Sequence, residues 1–175
     1  VVLAVGGPWA CSRKAVFDDQ VDFIRKWSEK VGERVAWVWM YPMKNYDKLQ
    51  AARVPQHAPR AYYEYHRRVA PYMDGSYLES NQGDDTLFYQ YLNYYVFSKF
   101  AWNHDIDVND LLSEHHRLMF GAGAKHVGRF FDRLEELWIG KVAVPSLIPE
   151  TEMGPPIYPP SELEIYRDIY NNAVM

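Results

Sequence analysis

Cysteine is nearly absent: Cys11 stands alone in 175 residues. One thiol excludes an internal disulfide framework and cannot supply a cysteine-rich zinc site. Long apolar runs are missing too, and none approaches the roughly 18 residues that a membrane-crossing helix needs. Nor is there an excess of positive charge. The 19 Lys and Arg residues are scattered against 23 Asp and Glu, for a formal net charge of -4. No basic face is offered to a phosphate backbone, so nucleic acid is not an expected partner. The chain has no HExxH and no G-x-S-x-G, and Gly6-Gly7-Pro8 lacks phosphate-loop spacing. No cofactor is expected from these patterns, and no metal.

What is present is apolar and aromatic material, at 48% and 16% of residues, enough for one core. Short apolar runs alternate with longer amphipathic ones. The chain opens on VVLAV, a strand closed by Gly6-Gly7-Pro8, with no polar lead-in, as expected of a piece of something longer. A helix follows over 15–31, with Val16, Phe17, Val21, Ile24 and Trp27 on one stripe. RVAWVWMY over 34–41 is a second strand, stopped by Pro42, and a helix follows over 61–72. Asp74-Gly75 leads into a third strand, Ser76-Tyr77-Leu78, and Asp84 or Asp85 reads as the cap of a helix running to about residue 101. Strands alternating with helices argue for an α/β fold with parallel pairing and right-handed crossovers. Beyond residue 102 the pattern is helical: 108–120 closed by Gly121, then 124–139, a proline-rich stretch over 145–160, and a last helix from residue 161.

The acidic run NHDIDVNDLL over 103–112 invites comparison with a calcium loop. Asn103, Asp105, Asp107, Asn109 and Glu114 match the first, third, fifth, seventh and twelfth ligand positions. Against it, Val108 stands where such a loop needs glycine, and VNDLLSEHHRLMF reads as helix. A helix join explains more, with Asp107 capping the second helix near Asp110. His115 and His116 are adjacent on a helix, about 100 degrees apart, and cannot share a metal without a third ligand.

The stretch YLNYYVFSKFAWNHDIDVNDLLSEHHRLMFGAGAKHVGRFFDRLEEL, residues 91–137, resembles the C-terminal part of the DUF4838 family. These are bacterial proteins similar to α-glucuronidases and other glycoside hydrolases of barrel fold. The matching elements are the Tyr-Leu run from Tyr91, Lys99-Phe100-Ala101-Trp102-Asn103, the acidic cap at Asp105 and Asp107, and Phe120-Gly121 with Ala122 and Ala124. His104 departs from the family's usual proline. The resemblance implies the last three β/α units of a (β/α)8 barrel over 1–101, followed by a helical extension packed on it over 102–175. It also implies a carbohydrate-active protein, exported from the cytoplasm, whose partners are carbohydrate and either the rest of a longer barrel or a second copy.

Barrel enzymes carry their reactive groups at the carboxyl ends of the strands, and glycoside hydrolysis uses two carboxyl groups across the sugar. Glu79, just past Ser76-Tyr77-Leu78, is the catalytic candidate, its partner being expected on an earlier strand. Asn81 and Gln82 after it are candidate hydroxyl ligands. The plain alternative is an exposed Glu before an Asn-Gln-Gly turn. Trp9, Trp39 and Tyr41 end the first two strands, where flat rings pack on sugar C–H faces. The alternation that puts Val35, Trp37, Trp39 and Tyr41 on one face equally allows these rings to fill the barrel. His57, between Pro55 and Pro59 in a long second loop, is a candidate substrate contact. The expected function is part of a glycoside hydrolase acting on a polysaccharide or oligosaccharide. The alternative is a noncatalytic carbohydrate-binding or scaffold domain. A third option is an interaction module built on the C-terminal helices.

Overall fold

A computed structural model of the chain describes residues 2–5, 14–40, 55–79, 90–142 and 158–174. They form a mainly helical α/β structure around a small parallel sheet. The strands β1 (Val2–Val5), β2 (Val35–Met40) and β3 (Met73–Leu78) lie side by side in sequence order. Both pairings are parallel, with Ala4 opposite Trp39 and Trp39 opposite Tyr77. The crossover from β1 to β2 carries α1 (Lys14–Val31), and that from β2 to β3 carries α2 (Pro59–Val69).

Period-two alternation divides the residues of β2 and β3 between two faces. Val38, Met40 and Leu78 are buried with Phe17, Val21 and Ile24 of α1 and Tyr62, Tyr65 and Val69 of α2 in one core. Both crossover helices therefore cover the same face. Each large side chain buried there contributes roughly 1.5–3 kcal/mol. On the other face Trp37 and Tyr77 are about half exposed, at 50% and 51%.

The third strand starts earlier than the Ser76-Tyr77-Leu78 run and takes in Asp74 and Gly75. β3 runs from Met73 through both residues, with Trp37 opposite Gly75. A side chain at Gly75 would stand 3.0 Å from the Trp37 ring, so the glycine serves ring packing across the ladder rather than a reversal. The Arg34 guanidinium donates to the Met73 carbonyl, 2.8 Å from Nε, and lies 3.4 Å from the Asp74 carboxylate, tying the strand's first residues down.

Four further helices complete the chain: α3 (Tyr91–Trp102), α4 (Val108–Phe120), α5 (Ala124–Val142) and α6 (Pro160–Val174). α3 begins at Tyr91 with Gln90 in the N-cap position. Asp84 and Asp85, read as its caps, lie outside the described residues. A second core joins Leu92 and Val96 of α3 to Val108, Leu111 and Leu112 of α4, with Phe131 of α5 against it. Trp138 of α5 reaches back into the first core, where it is 1% exposed, and so packs the helical part onto the sheet part.

The acidic join is a cap. Asp107 accepts from the Asn109 and Asp110 amides at 2.8 and 3.1 Å, and Gly121 ends α4 at φ +52°. The helix starts at Val108, where a calcium loop would have to remain open, and the Asn109 side chain is engaged with Arg60 at 2.9 Å. Asp107→Ala is expected to cost about 1 kcal/mol, read as a lowered urea midpoint with an unchanged m-value.

Candidate functional site

The carboxyl ends of parallel strands and the amino ends of the following helices share one edge of the sheet, and of the described candidates Trp39 and Glu79 fall there. β2 and β3 stay hydrogen-bonded past the last strand residue, since the Glu79 amide donates to the Met40 carbonyl at 3.0 Å. Alternation therefore gives Glu79 the same face as Tyr77 and Gly75, the face the helices leave open. On β2 the same face carries Trp37 and Trp39. The rings of Trp39 and Tyr77 meet edge to face, with centroids 5.9 Å apart. A carboxylate thus stands at the rim of a tier of aromatic rings.

Glu79 is half-buried. Its Oε2 is enclosed and has no hydrogen-bond partner, and among the described residues its carboxylate makes no ion pair. An enclosed carboxylate oxygen without a donor costs stability unless something else supplies one. A ligand hydroxyl is such a donor. The backbone at this point is firmly held, because the Tyr94 hydroxyl donates to the Glu79 carbonyl at 3.1 Å and accepts from the Gln90 amide at 3.1 Å. The Tyr94 hydroxyl thus pins the strand end.

Asn93, the residue before Tyr94, holds the segment that enters α2. It is fully buried, accepts from the Ala58 amide at 2.8 Å and donates to the Gln56 carbonyl at 2.7 Å, straddling His57. The Tyr158 hydroxyl fixes the same segment by donating to the Pro55 carbonyl at 2.6 Å. Adjacent residues in the first turn of α3 thus secure both β3 and the approach to α2.

His57 is only 3% exposed. Its ring sits edge-on to Tyr91 and Phe131, with centroids 5.8 and 5.1 Å away. Burial pushes its pKa down to about 3, so the imidazole is neutral throughout the physiological range. It sits as a wall of the α3–α5 packing layer rather than as a group open to solvent. Trp9, Tyr41, Asn81 and Gln82 lie outside the described residues.

A second polar cluster, invisible to sequence motifs, centres on Arg60 in the first turn of α2. Its guanidinium donates to Asn109 of α4 at 2.9 Å, to Asp132 of α5 at 2.8 Å, and to Glu135 of α5. The Glu135 carboxylate, 7% exposed, also accepts from the Arg60 backbone amide at 3.0 Å. Burial raises the Glu135 pKa against the pull of Arg60. Seventy-five positions separate these partners, which is why periodicity gave no sign of them. The helices α3, α4, α5 and α6 line an apolar groove of about 710 Å³ that includes Phe120, Phe130, Ile169 and Tyr170. Among the described residues no helix is long and apolar enough to cross a membrane, and no group of three or more His, Cys, Asp or Glu is placed to hold a metal ion. Comparison with models of known families, with curated proteins and with solved structures finds no match to this chain.

Proposed function

We propose that this chain is part of a glycoside hydrolase of (β/α)8 architecture, with Glu79 as one of its two catalytic carboxyl groups and Trp39 as a sugar platform. The observation that carries the proposal is the enclosed, unpartnered Oε2 of Glu79 at the carboxyl end of a parallel strand, on the face that also bears Trp39 and Tyr77. Three features support the barrel reading. The strand order follows the sequence, the pairings are parallel, and α1 and α2 lie on one face only. A doubly wound sheet reverses its order and clothes both faces, whereas an arc of a barrel does neither. On this reading Trp37 and Tyr77 point to the barrel interior, where further strands of a longer barrel or a second copy cover them. The resemblance of residues 91–137 to the DUF4838 family points to the same substrate class, carbohydrate.

Glu79 would protonate the departing glycosidic oxygen or attack the anomeric carbon, its partner carboxyl group acting from across the sugar. The Tyr94 clamp supports either role, because it holds the backbone that aims the side chain.

A noncatalytic carbohydrate-binding or scaffold role is the second reading, favoured by the two half-exposed rings on the open face. Calorimetric titration with pentose and hexose oligosaccharides tests what both share. Saturable binding weakened about tenfold by Trp39→Ala is the expected result, a difference of about 1.4 kcal/mol. Binding indifferent to Trp39, or none, removes the ring from the site. Turnover of the same oligosaccharides then separates enzyme from binder.

A further inference from the structure

Between α4 and α5, with Arg60 at its floor, runs a polar cleft of about 430 Å³ that the carbohydrate reading does not use. We propose that this cleft is a binding site for a small oxyanion, a phosphate or a carboxylate, held by Lys125, Arg129 and the Nε2 edge of His116.

Charge is the first argument. Of the groups lining the cleft, Arg60 and Asp132 satisfy one another, and the remaining arms of Arg60 are taken by Asn109 and Glu135. Lys125 and Arg129 have no carboxylate partner among the described residues. Arg60 is shared by two carboxylates, so Lys125 and Arg129, in the first turns of α5, outweigh the one negative charge left over, in a chain whose formal net charge is -4. A helix start adds partial positive charge in the same place.

His116 is the second argument, and it is independent of the first. The residue is 7% exposed and lines the cleft. Its Nδ1 lies 3.2 Å from Nδ1 of His115, a contact that a single proton satisfies. When His115 donates that proton, His116 must carry its own on Nε2. When His116 is the imidazolium, it donates from both nitrogens. In both of these states an N–H at Nε2 is offered to the cleft, where no described residue accepts it, whereas a neutral His116 protonated on Nδ1 leaves Nε2 an acceptor, and that is the state a bound anion disfavours. Gly128 keeps the space open beside it, because a Cβ there would come within 3.3 Å of His116 Cδ2. A histidine edge lining the cleft, a cleared space beside it and two cations without a carboxylate partner fit an anion of a few oxygens, bound by charge-assisted hydrogen bonds.

The site should respond to pH. Burial, His115 and Arg60 hold the His116 pKa below its ordinary value, against the opposite effect of Asp132. Lys125 and Arg129 face it from α5, while Tyr91 and Tyr95 of α3 pack on His115. A bound anion favours the imidazolium, so affinity rises as pH falls toward and below the ordinary histidine range of about 6.5.

The test is a titration of the whole protein with inorganic phosphate and, separately, with acetate, at constant ionic strength, following the His116 Cε1–H resonance. Saturation by phosphate alone assigns a phosphoryl ligand. Saturation by acetate, with phosphate no better, assigns a carboxylate. In either case the exposed double substitution K125Q/R129Q should weaken binding at least about tenfold without moving the melting temperature, and binding should tighten as pH is lowered. Shifts that do not saturate, that are matched by chloride, or that survive K125Q/R129Q overturn the proposal.

Discussion

Glu79→Gln is expected to abolish most glycoside turnover while leaving oligosaccharide affinity within a few-fold of the native protein. Removing an acid, base or nucleophile typically costs on the order of 10² to 10⁴ in rate, about 3–5 kcal/mol of transition-state stabilisation. Glutamine keeps the size of the side chain and its acceptor oxygen but cannot transfer a proton or attack carbon. The fold should not suffer. Glu79 Oε2 has no donor in the structure, so the neutral amide loses no bond at that atom, and the melting temperature should stay constant or rise. A merely structural Glu79 would behave the other way, with stability falling and turnover following the folded fraction. Turnover within two- to three-fold of native, on a substrate the native protein cleaves, would remove Glu79 from the catalytic pair.

Arg60→Met should be the most damaging substitution to stability outside the apolar cores. It leaves the Glu135 carboxylate 7% exposed with its cation gone, and it releases Asp132 and Asn109 as well. Breaking a buried pair from one side costs about 3–5 kcal/mol, and the low end applies because the Arg60 side chain is 39% exposed. The pH dependence is diagnostic. Burial already raises the folded-state pKa of Glu135, and Arg60 opposes that rise. Without Arg60 the folded pKa climbs further above the unfolded value, so the folded state binds the extra proton. Stability is then retained below the unfolded carboxylate pKa and lost as pH rises through the new folded value. Urea denaturation across the acid-to-neutral range should show the gap between variant and native protein opening as pH increases. A gap that closes with rising pH would mean that Glu135 is not the group left stranded.

These two residues mark the boundary of what was legible in the chain. Local patterns carried far: the alternation in RVAWVWMY assigns the faces of β2, and Asp107 with Gly121 brackets α4, because caps and periodicity are properties of near neighbours. Glu79 is a candidate on the same kind of local pattern, as the acidic residue following a strand. The pairing of Arg60 with Glu135, and the clamps from Asn93 and Tyr94, join residues 15 to 75 positions apart, and no window of a single helix contains both partners. Two features lay beyond local pattern. β3 starts at Met73, ahead of the Ser76-Tyr77-Leu78 run, because Gly75 faces Trp37 across the ladder. Asn93 and Tyr158 draw the backbone around His57 into the core and bury that ring. In both places tertiary contacts outweighed local preference.

The central claim, that the carboxyl end of β2 and β3 is a carbohydrate site, is tested most directly by mapping amide and indole resonances of the isotope-labelled protein during titration with pentose and hexose oligosaccharides. The account predicts saturable shifts at the Trp39 indole and the Glu79 amide with at least one of them, while the Trp102 indole, 93% exposed at the end of α3, does not move. Shifts that involve Trp102 as much as Trp39, or a strand end that stays silent with every sugar, would contradict it.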